Sequence, residues 1–270
     1  SRRQRQMCIR DRYSSHAAEN AEAAGTSVEG QGMLSPSSSS ESSESVFNGS
    51  GAGTSSEPVT DEKLETILKQ VQSQLPAENG TWAVFISDLV NGTEGSLNDQ
   101  KMQAASLIKL YIMGAVYEDY DSLSSKYSKD QLDNALNSMI TVSDNDAANT
   151  LTTYLGGGDS AAGMQAVNSF CQAHGYDQTH MGRMLLASNE NDDNYTSVGD
   201  CGHLLQEIYK QDTSGYTHAA DMFNLLKAQT RCNKIPAQLP EGVKTANKTG
   251  ELDNCLLYTS DAADDLIGVD

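Results

Sequence analysis

Residues 104–116 read AASLIKLYIMGAV, and the rest of the chain is best understood outward from this stretch. It is apolar almost throughout and long enough for a buried helix, yet Lys109 interrupts it. A lysine on a polar helix face keeps its head in water, whereas one inside a core helix needs a reason. Ser106 stands three residues earlier, in the first turn, and residues three apart share a helix face. The amine of Lys109 therefore reaches the hydroxyl of Ser106. Desolvation among apolar neighbours lowers a lysine pKa, and a nearby cation such as Lys248 lowers it further. A neutral Lys109 can then take the proton of Ser106, which is a weak nucleophile without a base. The helix N-terminus adds backbone N–H groups for a reacting carbonyl.

Two more short motifs follow: Ser143-Asp144-Asn145, then Lys248-Thr249-Gly250. Each has a plain structural reading, the first as a helix N-cap and the second as an edge strand. Taken in order with Ser106-x-x-Lys109, they resemble the S-x-x-K, S-D-N and K-T-G set of the class A β-lactamases and penicillin-binding proteins. The likeness runs from about Asp61 to Asn254 and includes the segment PAQLPEGVKTANKTGEL. It implies an α+β fold of the β-lactamase/transpeptidase type, a helical region packed on an antiparallel sheet. It also implies that Ser106 attacks the carbonyl of a β-lactam or D-alanyl peptide, with Lys109 as base. Ser143, beside Lys248, would relay a proton to the leaving nitrogen. Asn145 would contact Lys109 and the substrate amide. Lys248, Thr249 and Gly250 would hold the substrate carboxylate end, and the N–H groups of Ser106 and Glu251 would form the oxyanion hole. No cofactor and no metal is implied. The family setting is extracytoplasmic. A D,D-peptidase and a non-catalytic wall or β-lactam sensor remain alternatives to a β-lactamase.

The chain departs from the family pattern in two places. Ser106 and Ser143 are only 37 positions apart, so a helical insertion is expected to be absent there. The loop after Arg183 reads RMLLASNENDDNYTS and lacks the Glu-x-x-Leu-Asn motif whose glutamate activates water in class A enzymes. Glu190 is its one glutamate, and Asp192 and Asp193 are the other carboxylates available. Without a deacylating base, such an enzyme acylates and stalls.

Both ends read differently from the middle. RRQRQMCIRD at 2–11 and CLLYTSDAADD at 255–265 are what one DNA segment gives when translated on opposite strands. They resemble a sequencing-library adapter, and residues 1–12 and 255–270 are set aside from fold reasoning. Residues 13–60, with SPSSSSESSES and GSGAGTSS, cannot bury enough surface to order themselves and read as a tether. The catalytic domain is then 61–254, with the C-terminal strands and helix that usually follow K-T-G missing. The net charge is −19, which excludes a basic nucleic-acid face and a polybasic membrane anchor. No run is long and apolar enough to span a bilayer.

Within 61–254, DEKLETILKQVQSQL predicts an amphipathic helix, TWAVFISDL a strand, and Asn91-Gly92 a hairpin turn. Helices are expected near 104–117, 128–139, 147–155, 161–174, 198–209 and 222–230, with a strand beginning near Val243. Cys171, Cys201 and Cys232 lack metal-ligand spacing. Cys171 with Cys201 is the preferred disulfide pair, and three small buried side chains is the other reading.

Overall fold

The computed structural model describes residues 61–76, 80–211 and 215–252, together with the backbone of 4–8 and 266–269. The expected tether, 13–60, lies outside the described residues. So do 1–3, 9–12, 253–265 and 270.

The expected amphipathic helix is α1, Glu62–Gln74, and it begins where Asp61 Oδ1 accepts a hydrogen bond from the Leu64 N–H at 2.6 Å. Strand β2, Thr81–Asp88, is buried on both faces, and its alternation sorts its side chains into two layers. Val84 and Ile86 pack with Leu64 and Leu68 of α1. Ala83 and Phe85 face the main core, which the remaining helices build. β2 turns into β3, Thr93–Leu97, with Asp88 paired to Thr93, so the turn spans four residues rather than Asn91-Gly92 alone. Asp88 Oδ1 accepts the N–H groups of Val90 and Asn91 there.

The two-residue strand β4, Met102–Gln103, leads into a 3-10 turn, Ala105–Leu107, and then α2, Ile108–Glu118. Every residue of α2 from Ile108 to Tyr117 is buried, Lys109 included. Around it lie α3, Tyr120–Tyr127; α4, Lys129–Thr141; α5, Asn145–Leu155; and α6, Ser160–Ala173. Helix α3 has no counterpart among the sequence expectations; Asp119 and Ser128, at φ 68°, break it from its neighbours. Gly114 lets α2 and α6 touch, because a Cβ there would meet the Phe170 ring at 2.4 Å. Strand β5, Tyr195–Thr196, pairs antiparallel with β4. Helices α7, Val198–Lys210, and α8, Ala219–Lys227, precede β6, Thr245–Lys248.

The large sheet has the order β3-β2-β1-β7-β6, with β1 at Gln4–Cys8 and β7 at Leu266–Val269. The β2–β3 and β6–β7 pairs are antiparallel, whereas β1 runs parallel to both β2 and β7. The terminal stretches set aside on sequence grounds thus occupy the middle of a mixed sheet. Ladder hydrogen bonds are made by backbone, so the open edges of β2 and β6 accept extended chain whatever its side chains.

The cysteine pairing is corrected. Cys171 and Cys201 are both thiols, each buried, not a disulfide. Cys201 Sγ is 3.4 Å from Tyr111 Oη and 3.6 Å from Thr196 Oγ1, and burial pushes both thiols up to about 12. They behave as small core side chains. No helix among the described residues is long and apolar enough to cross a membrane.

Candidate active site

Three chain segments converge. The first is the turn that carries Ser106, preceded by Ala105 at φ 48°, a left-handed conformation rare for a residue with a Cβ. The second is the bend between α4 and α5. Ser143 sits there at φ 60°, and Asp144 caps α5 by accepting the Ala147 N–H at 2.7 Å. The N-cap reading of Ser143-Asp144-Asn145 therefore holds for Asp144, and it fixes the two flanking side chains. The third is the end of β6. A Cβ at Gly250 would lie 3.1 Å from Leu107 Cγ and 3.3 Å from Ala104 O, so only glycine fits so close to the Ser106 turn without displacement.

Lys109 Nζ is the centre of the site. It lies 2.6 Å from Ser143 O, 2.7 Å from Asn145 Oδ1, and 3.1 Å from the hydroxyls of both Ser106 and Ser143. The two shortest contacts are to carbonyl oxygens, which only accept. A neutral amine has two N–H groups and one lone pair. With both N–H groups given to the carbonyls, the lone pair is left for a hydroxyl proton. The arrangement thus suits a neutral Lys109 accepting from Ser106. Burial brings the Lys109 pKa down to about 8, the charge of Arg231 adds to the shift, and Asp144 opposes it. At pH 7 about one molecule in ten then holds the free amine.

Lys248 Nζ donates to Ser143 Oγ at 2.8 Å and to Thr249 O at 2.6 Å, and Lys248 is fully buried. Ser143 Oγ accepts from Lys248 on one side and adjoins Lys109 on the other, so its own hydrogen is free to point at a bound substrate. Ser106, Lys109, Ser143, Asn145 and Lys248 are joined directly. Thr249 is buried just after Lys248. The Glu251 carboxylate turns away to Lys234 at 2.9 Å. Among the described residues no cluster of His, Cys, Asp or Glu is arranged for a metal ion.

Long-range ties that the sequence did not signal hold these segments in place. Gln229 Nε2 donates to Ile140 O at 2.9 Å, and Thr230 donates to Thr141 O through both its N–H and its hydroxyl. Asn247 Nδ2 donates to Arg231 O at 3.2 Å. The segment after α8 therefore binds the Ser143 bend to β6. It also supplies Arg231, whose charge lowers the Lys109 pKa.

The loop after Arg183 is held as firmly. Asn149 grips the backbone of Leu185 at both its N–H, 2.8 Å, and its carbonyl, 3.1 Å. Asn149 lies one turn beyond Asn145 on α5, a spacing that could have flagged it. Arg183 Nε donates to Asp193 Oδ1 at 2.6 Å, and Gln103 Nε2 donates to Asp193 Oδ2 at 2.8 Å. Burial alone would raise the Asp193 pKa, but these hydrogen bonds outweigh it and hold the carboxylate below its ordinary value. Asp192 accepts from His180 at 2.6 Å, which lowers its pKa too. Glu190 is exposed.

With this geometry in view, comparison with known proteins defines the class. The model of the β-lactamase enzyme family matches residues 63–131 and 124–263. The chain belongs to the β-lactamase enzyme family. It is similar in fold to PBP-A, at 21% identity and TM-score 0.57, over 72% of this chain and 80% of that one. It is also similar to a TLA-1 extended spectrum β-lactamase variant, at 16% identity and TM-score 0.58 over the same shares. A β-lactamase from Sphaerobacter thermophilus matches at 20% identity and TM-score 0.50, over 63% of this chain and 72% of that one. No curated protein matches by sequence. The expected β-lactamase/transpeptidase-like fold is the one observed.

Proposed function

We propose that this chain is a serine acyl-enzyme acting on β-lactams or D-alanyl peptides, with Ser106 as nucleophile and Lys109 as its base. The observation that carries it is the contact pattern of Lys109: Nζ lies 3.1 Å from the Ser106 hydroxyl and two carbonyl oxygens take its N–H groups, so the neutral amine turns its lone pair to Ser106. Lys109 takes the Ser106 proton as the oxygen attacks the carbonyl carbon. Ser143 gives its free hydrogen to the leaving nitrogen and is reprotonated through the adjoining lysines. Lys248, Thr249 and Gly250 receive the substrate carboxylate, Asn145 its side-chain amide, and the N–H groups of Ser106 and Glu251 the developing oxyanion.

The second half of the reaction separates two readings. A β-lactamase releases the acyl group by activating water, whereas a penicillin-binding D,D-peptidase keeps it. Among the described residues no carboxylate hydrogen-bonds Lys109, and in the loop Asp192 and Asp193 are committed to His180 and Arg183. This favours the penicillin-binding reading: Ser106 accepts the acyl group and holds it. A PBP-A variant of the same fold, 21% identical, is described as an acyl-enzyme complex with penicillin G. Tethered, extracytoplasmic placement through residues 13–60 belongs to the same proposal. Intact-mass analysis during incubation with benzylpenicillin tests it. A stable adduct that Ser106→Ala abolishes is expected, and no adduct at all would reject the acyl-serine reading.

A further inference from the structure

The ion pair between Lys234 and Glu251 has no part in the chemistry above. Lys234 Nζ lies 2.9 Å from Glu251 Oε1, with the lysine side chain only 8% exposed and the glutamate 40%. Lys234 immediately precedes a 3-10 turn, Ile235–Gln238, whose first turn contains Pro236 and is stiff for that reason. Glu251 directly follows Lys248-Thr249-Gly250, where Gly250 already packs on the Ser106 turn. The pair thus ties the residue just past β6 to a rigid turn earlier in the chain.

We infer that this ion pair sets the position of the Glu251 backbone N–H, which makes Lys234 a positioning residue for acylation of Ser106. The inference rests on the acyl-serine reading above. An oxyanion donor acts on the transition state more than on the bound ground state, so a misplaced N–H lowers the maximal acylation rate and leaves binding unchanged. A lysine that instead held the substrate carboxylate would act on binding.

The test uses the full chain and benzylpenicillin, with acylation followed by intact mass over a range of concentrations. For Lys234→Met the maximal rate is expected to fall about tenfold with the half-saturating concentration unchanged. Lys234→Arg keeps the tie and restores most of the rate. Glu251→Gln behaves like Lys234→Met, and the double variant is no slower than either single one, because both break the same link. Thermal midpoints are recorded beside the rates, so that a lost fold is not read as a lost tie. A raised half-saturating concentration at an unchanged maximal rate would overturn the inference. So would effects of the two single variants that multiply in the double. A wild-type chain that forms no adduct overturns the acyl-serine reading itself, whereas a wild-type adduct with an unaffected Lys234→Met sinks only the positioning role.

Discussion

The Ser106 centre and the loop from Arg183 to Asp193 are built from similar polar side chains but put them to opposite uses. In the centre, contacts of 2.6–3.1 Å link Lys109 with two hydroxyls, a carbonyl and an amide oxygen, so that in its neutral form the lysine keeps a lone pair for a hydroxyl proton. In the loop, comparable distances tie Asp193 to Arg183 and Gln103, and Asp192 to His180. A carboxylate whose lone pairs are engaged by cations and amides is a structural anchor and a poor base. The first region is poised to pass protons, and the second is poised to hold shape. Under the proposed function, the first region makes an acyl-enzyme that the second does not release.

The comparison can be broken most directly at the nucleophile. Ser106→Ala removes the only oxygen assigned to attack, and intact mass should show no penicillin adduct at any time. A remaining adduct of equal amount would place the nucleophile elsewhere. Lys109→Met removes the proposed base but keeps the buried volume, and acylation is expected to slow by about 10²–10⁴-fold. An unchanged rate would leave Ser106 with a different base.

Asp193→Asn probes the loop's role as an anchor. Both partners are nearly buried, at 15% and 7% side-chain exposure, so loss of the charge should destabilise the fold by about 2–4 kcal/mol in urea titration. Because the folded Asp193 holds its proton less tightly than an unfolded aspartate, its contribution is present above pH 3.8 and lost as pH falls below that. A variant of wild-type stability would show that the pair is not an anchor.

The pH dependence sharpens the other side. With Lys109 at about 8, acylation should rise about fivefold from pH 7 to pH 8 and level off above. The same lowered pKa works against stability. The folded chain binds this proton less tightly than the unfolded chain, so the penalty is full below about pH 8 and fades as pH rises toward 10.5. Its size is about 3 kcal/mol, at 1.4 kcal/mol per unit. Acylation flat between pH 6 and 9 would contradict the neutral-lysine account. The smallest effect is expected from Glu190→Gln and Asp192→Asn, which should leave the lifetime of the adduct unchanged; a shorter-lived wild-type adduct that either variant prolongs would assign a deacylating role to the loop.

Local signals carried the reading of the sequence, and long-range ones escaped it. The stretch 104–116 announces a buried helix with a misplaced lysine, and the structure buries that helix from Ile108 to Tyr117. The alternation of TWAVFISDL announces a strand, although not that α1 and the main core would share its two faces. By contrast, Gln229 and Thr230 bond to residues 89 positions earlier, and nothing near them in the chain marks it. Arg231 was missed as a cation acting on Lys109 for the same reason. Helix α3 escaped because YDSLSSKY has too few apolar residues for a clear period. Cys171 and Cys201 flank one loop in sequence, but in the fold both are buried thiols, with Cys201 set against Tyr111 and Thr196.

The most direct test of the account follows the full chain with benzylpenicillin by intact mass, while hydrolysed product is measured in the same samples. One equivalent of adduct on Ser106, stable for many times the acylation time with no excess of hydrolysed product, is the expected result. Rapid turnover, with product accumulating and the adduct only transient, would contradict it and show that this loop activates water after all.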